Sequence, residues 1–215
     1  MTFTLTSTPN VIAMTAIPLN PTVTRVIVVP GFGATPQDHW FPWLTRAIPG
    51  VEVLSMPTPH APEAARWVPV IARAIDHLSA DTALITHSLG GIAAVRAVES
   101  LARHHSGHLA AFIAVAPFAQ ELPATGEGEL DSFVATGLPA FLTGARLSSL
   151  PDRLASVTVI RSDNDPLVPP AISDKFAEQT GARSVVIAGA GHFLASEGIT
   201  ELPQVVQALN RGASG

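Results

Sequence analysis

The chain has 215 residues, 47% of them hydrophobic and 13% charged, with a formal net charge of −5. That length suits one sizeable domain able to bury roughly 70% of its unfolded surface, and the composition suits an α/β protein with buried strands rather than a disordered chain. Lys175 is the only lysine, which argues against nucleic-acid and anionic-membrane partners, and the lack of cysteine excludes disulfides, cysteine-ligated zinc and thiol nucleophiles.

Residues 1–24 carry no basic residue, and their apolar run from Val11 to Ile17 is broken by threonine and closed by Pro18. They lack the charged start of a signal peptide and read as a loosely ordered leader, with cytoplasmic residence expected. The domain proper is expected over 25–215. Its longest apolar runs, such as LAAFIAVAPFA at 109–119, are about half the ~20 residues that span a bilayer, so no membrane helix is expected.

From Arg25 the pattern becomes regular. RVIVVP is a β-branched run without polar alternation, as expected for a strand covered on both faces, and similar runs recur at 51–56, 82–87, 109–116, 157–162 and 184–189. Between them Ala64, Trp67, Val68, Ile71, Ile75 and Leu78 keep helical spacing, and helices are also expected near 40–48, at 89–103, at 170–180 and at 199–211. Such alternation means right-handed βαβ crossovers and hence a mainly parallel sheet of about six strands, helices on both faces, with ligands at the carboxyl ends of the strands. Residues 117–150, rich in Gly and Pro and carrying Phe118, Phe133 and Phe141, interrupt the rhythm and read as a short cap.

Four strand-end loops carry reactive groups. After the first strand, PGFGATPQDHWFPWL has the glycines Gly31 and Gly33 around Phe32, whose amide could point at a developing oxyanion; with neither a third glycine nor a Walker lysine, a phosphate cradle is discounted. Trp40 and Trp43 are expected to pack the next helix onto the sheet. After the third strand, Ser88 stands on a strand-to-helix turn that would lift its hydroxyl clear of the sheet, with the Leu89 amide at the helix N-terminus as a second oxyanion donor. Serine also caps ordinary helices, and Thr86 stands where G-x-S-x-G has its first glycine. After the fifth strand, in DNDPLVPP, Asp165 is set on a turn by Pro166; it reads either as a turn cap or as a catalytic acid, and Asp163 competes for the role. After the sixth, GAGHFL presents His192 among small residues. The order Ser88, Asp165, His192 is that of nucleophile, acid and base in the α/β-hydrolase triad.

Taken together, VVPGFGATPQDHWFPWL, THSLGG, SDNDPLVP and GAGHF resemble the small α/β-hydrolases of the retinoblastoma-binding-protein and YdeN type, from about Arg25 to the C-terminus and most weakly over 117–150. The resemblance implies a three-layer α/β-hydrolase fold, no metal or organic cofactor, and a triad of Ser88, Asp165 and His192. It favours Asp165 over Asp163, because the family's acid directly precedes the proline.

The expected reaction is hydrolysis of an ester, thioester or amide through an acyl-enzyme, with a small-molecule acyl substrate of small or medium size. Glu121, Glu127, Glu129 and Asp131, unaccompanied by Lys or Arg in 117–144, point to uncharged or cationic substrates, although a solvated loop face is the better account of the acids themselves. The rival is a binding module on a hydrolase scaffold without turnover. His39, His60 and Phe118 are candidates to border the pocket. His104 and His108 have i, i+4 spacing, but Gly107 between them ends the helix and no acid completes a metal site.

Overall fold

The computed structural model describes residues 21–211. Its centre is a six-stranded, wholly parallel sheet in the order β2-β1-β3-β4-β5-β6, made by β1 Arg25–Val29, β2 Glu52–Val53, β3 Thr82–His87, β4 Ala111–Val115, β5 Val157–Ser162 and β6 Arg183–Ile187. Every residue of β3 is buried, and its side chains alternate between two cores: Leu84 joins one sheet face, Ala83 and Ile85 the other. A strand that is apolar on both faces can only be central, which is why its run shows no polar alternation.

Helices cover both faces. The second core holds Trp40, Phe41, Trp43 and Leu44 around α1 Phe41–Ala47, together with Val205, Val206 and Leu209 of α7 Pro203–Arg211. The first core holds the inner sides of α2 Ala64–Ile75, α3 Leu89–Ala102 and α6 Pro170–Thr180. Both tryptophans therefore do pack their helix onto the sheet, as expected.

Several boundaries differ from the sequence reading. The strand expected at 51–56 pairs only over Glu52–Val53, with one further bond from the Leu54 amide to Val28; it is the sheet edge, and Pro57 follows closely. The helix expected from 199 begins at Pro203, whose fixed φ suits a first turn. The segment 117–150 is not irregular: it contains α4 Gly128–Thr136 and α5 Leu138–Leu142. Phe133 and Phe141 from these helices are buried, with the Phe141 ring 5.9 Å from Trp67 and 5.9 Å from Phe133. The expected leader lies outside the described residues except for 21–24, where Val23 is buried and the Thr24 amide donates to Asp81 O at 2.9 Å. Among the described residues no helix is long and apolar enough to cross a membrane.

Strand order reverses direction from β1, which leads outward to β2, and β3, which leads towards β4. In an open parallel sheet this crevice at the carboxyl ends is where ligands bind. The register sets Val29 opposite Thr86 and His87 opposite Val115, so the loops carrying Phe32 and Ser88 leave the sheet side by side.

Candidate active site

Ser88 joins β3 to α3 with φ 52° and ψ −123°, a left-handed backbone that costs a non-glycine residue on the order of 1–3 kcal/mol. It occupies the N-cap position of α3, yet its side chain makes no capping hydrogen bond. The ordinary reason for a serine here is therefore missing, while its amide is pinned to Val115 O at 2.9 Å. Strain is concentrated around this point: of the six non-glycine residues with positive φ among the described residues, Ser88, His39, Ala116 and Phe193 lie near the carboxyl edge of the sheet.

The glycine after the elbow is sterically required. A Cβ on Gly90 would lie 2.4 Å from Val29 O and 2.6 Å from Pro30 O, because the β1 loop passes directly over the first turn of α3. Thr86, at the other end of the motif, is fully buried beside Gly91 and Pro117, and the space there is not tight: a Cβ on Gly91 would meet Thr86 Oγ1 at 3.5 Å and Pro117 Cβ at 3.6 Å, both ordinary contacts. The Thr86 hydroxyl has no hydrogen-bond partner among the described residues.

On the β1 loop the Gly33 amide is occupied by Pro59 O at 2.8 Å, whereas no partner is found among the described residues for the Phe32 amide. Leu89, as first residue of α3, also keeps an amide that the helix cannot satisfy. A Cβ on Gly31 would touch Ser88 Cβ at 3.0 Å, which measures how closely the two loops run.

The β5 and β6 loops are joined residue by residue. Asp163 Oδ1 accepts from the Gly189 amide at 2.8 Å, Ser162 Oγ from Ala190 at 3.1 Å, and Asn164 Oδ1 from Gly191 at 2.9 Å. Asp165 comes next and meets the His192 ring, Nδ1 to Oδ2 at 2.7 Å, both side chains at most 5% exposed. Its other oxygen accepts from the amides of Leu167 and Val168 at 2.9 and 2.8 Å, so the turn-cap and the histidine-partner roles coexist in one carboxylate. With Nδ1–H donated to Asp165, His192 presents Nε2 as its free acceptor.

His87, which the sequence reading passed over, is wholly buried between His39 and His192, with ring centroids 5.4 and 5.0 Å away. Burial first, then the neighbouring His192 and His39, hold its pKa well below the usual histidine range. The neutral ring donates Nε2–H to His192 O at 2.9 Å, leaving a buried Nδ1 with no partner among the described residues. His39 is lowered too: burial lowers it, the Asp38 carboxylate opposes, and His192 reinforces. Its Nδ1 accepts from the Ala195 amide at 3.2 Å.

Ser88, His192, His87 and His39 open on one cavity of about 330 Å³. Ser88, Leu89, Phe32 and His192 line it, with Gly31, Gly33, His39, His60 and Phe118, whereas the two acid candidates, Asp163 and Asp165, do not reach its wall. Phe118, Leu122, Phe133 and Val168 make much of the wall apolar; its charged members are Asp38, Glu127 and Glu129, with no Lys or Arg. The 117–150 segment contributes through Phe133, 5.1 Å from the Phe32 ring, and through Glu129, 3.5 Å from His60 Nδ1. His104 and His108 stand exposed beyond the end of α3, and among the described residues no three His, Asp or Glu side chains could hold a metal ion.

The family model of a serine hydrolase matches residues 26–211. YdeN of Bacillus subtilis (strain 168), named as a hydrolase, is 33% identical over 189 residues, covering 86% of this chain and 94% of the relative. The crystal structure of the ydeN gene product from B. subtilis superposes with a TM-score of 0.77 at 29% identity, over 89% of this chain and 99% of that one. A YdeN-like hydrolase from Pectobacterium atrosepticum has the same fold, with a TM-score of 0.61 at 23% identity over 86% and 88% of the two chains.

Proposed function

The chain belongs to the serine hydrolase family, and from that premise we propose that it cleaves a small or medium uncharged carboxylic ester, or a related thioester or amide, through Ser88, His192 and Asp165. The observation that carries the reading is the buried 2.7 Å pair of His192 and Asp165 opening on the cavity that also holds Ser88, a serine in a strained turn that it does not cap.

His192 Nε2 takes the proton from Ser88 Oγ as that oxygen attacks the acyl carbon. Asp165 fixes the tautomer and stabilises the imidazolium that results. The Phe32 and Leu89 amides receive the oxyanion, a role supported by their lack of other work. The proton on Nε2 then passes to the leaving alcohol, thiol or amine, and a water deprotonated by His192 attacks the acyl-enzyme to release the acid and restore Ser88.

The apolar wall of Phe118, Leu122 and Phe133 suits the acyl chain, and the carboxylates of Asp38, Glu127 and Glu129 disfavour polyanionic substrates. A fluorophosphonate probe should label Ser88, and p-nitrophenyl esters of graded chain length should be turned over best at short to medium length. Loss of about 10⁴- to 10⁶-fold in turnover is expected for Ser88→Ala. Unchanged esterase activity in that variant would overturn the assignment, and a scaffold that only binds its ligand would leave the probe unattached.

A further inference from the structure

We infer that Glu197 and His87 are positioning residues that fix His192 by its backbone, one gripping its N–H and the other its C=O. The inference rests on the proposed use of His192 as the base. Between the end of β6 and the 3-10 turn Ala195–Glu197 the chain has no helix or strand; one backbone bond, from the Phe193 amide to Ala190 O at 3.0 Å, closes a turn around His192, and the bonds to the N–H and C=O of His192 itself come from side chains.

Glu197 folds back from that turn. Its Oε2 accepts from the His192 amide at 2.7 Å and from the Leu194 amide at 3.0 Å. Closing the turn needs only the Leu194 bond, the reciprocal contact of a capping box. The shorter bond to His192 reaches two residues further and is not needed for the cap. The carboxylate also lies over Gly191, where a Cβ would come within 2.1 Å of Oε1, so the chain has given up a side chain at 191 to admit it. From the opposite side His87 donates Nε2–H to His192 O, and its ring is fully buried. With Asp165 on the imidazole, the ring and both peptide groups of His192 each have a dedicated partner. The next residue, Phe193, is buried with φ 62°, a strained conformation that persists only where its surroundings enforce it.

The test compares Glu197→Ala, Glu197→Gln and the parent chain, with kcat and KM for a p-nitrophenyl ester expressed per site titrated by a fluorophosphonate. Both amides bond to a single oxygen of Glu197, so the glutamine oxygen can replace it. Glu197→Ala should lower kcat per titrated site by about 10- to 100-fold with KM nearly unchanged, and Glu197→Gln should restore most of the loss. The proton NMR signal of the His192 Nδ1–H bonded to Asp165 should persist in the parent and in Glu197→Gln and broaden or vanish in Glu197→Ala. His87→Gln, which keeps a donor, should lose less kcat than His87→Leu. A parental kcat and Nδ1–H signal in Glu197→Ala would overturn the inference, as would a glutamine variant as impaired as the alanine one. If the parent chain itself is neither labelled nor active, the functional reading fails, and the Nδ1–H signal alone decides whether Glu197 holds the loop.

Discussion

Asp163 and Asp165 stand two residues apart on one loop and hold two different parts of its partner loop: Asp163 takes the Gly189 amide, Asp165 the His192 ring. In the proposed mechanism only the second contact bears on proton transfer, so the two should separate by function. Asp165→Asn should lower kcat by about 10³- to 10⁴-fold by favouring the wrong imidazole tautomer. Asp163→Ala removes one exposed hydrogen bond, which should cost about 1 kcal/mol in urea unfolding while leaving turnover within a few fold. Steady-state kinetics and denaturation of the two variants check both expectations, and equal kinetic losses would mean that Asp165 has no special part.

Gly90 and Gly91 are neighbours in sequence with opposite tolerances. A methyl at 90 runs into the β1 carbonyls at 2.4 and 2.6 Å, which are backbone and cannot step aside. Gly90→Ala should therefore destabilise by on the order of 3 kcal/mol or more and abolish probe labelling of Ser88. A methyl at 91 finds ordinary contacts inside α3, where alanine is preferred to glycine by about 1 kcal/mol. Gly91→Ala should be neutral to slightly stabilising in a thermal melt.

Much of this arrangement was legible from the residues. The run TALITH coincides with β3 because a strand buried on both faces shows no polar alternation, VTVIRS coincides with β5 through its β-branched Val157, Thr158, Val159 and Ile160, and Pro170 and Gly181 delimit α6 by their own stereochemistry. The cap helices were hidden because Gly137 and Pro139 interrupt the spacing of Leu130, Phe133, Leu138 and Phe141, a break the structure absorbs by ending one helix and starting another. His87 was hidden for a different reason: its partner carbonyl lies 105 residues away, and nothing local marks a histidine as a donor to it. Glu197 is local but looks like any exposed turn acid until its carboxylate is seen over Gly191.

Thr86 carries a stability prediction of its own. Its hydroxyl is fully buried and unpaired, and an unmade buried hydrogen bond costs about 1–3 kcal/mol. Thr86→Val keeps the branched shape that Gly91 and Pro117 accommodate while removing the orphan oxygen. The variant should raise the unfolding free energy by about 1 kcal/mol and leave kcat/KM within about twofold. A lower denaturation midpoint would show that the hydroxyl has a partner in solution.

The pH dependence of stability follows from His87. Its pKa is held well below the usual value in the folded chain, whereas the unfolded chain binds this proton near pH 6.5. Between those two values the unfolded state carries more protons, so unfolding free energy rises with pH there. The contribution is fully present above about pH 6.5 and is lost as the pH falls towards the folded pKa, with a slope approaching about 1.4 kcal/mol per pH unit. His39, depressed mainly by burial and partly exposed, adds a smaller term of the same sign. Urea midpoints measured from pH 7.5 to 5 should fall along this slope, and His87→Gln, which cannot titrate, should flatten it. A midpoint independent of pH across that range would show that His87 is protonated as readily in the folded chain as in the unfolded one.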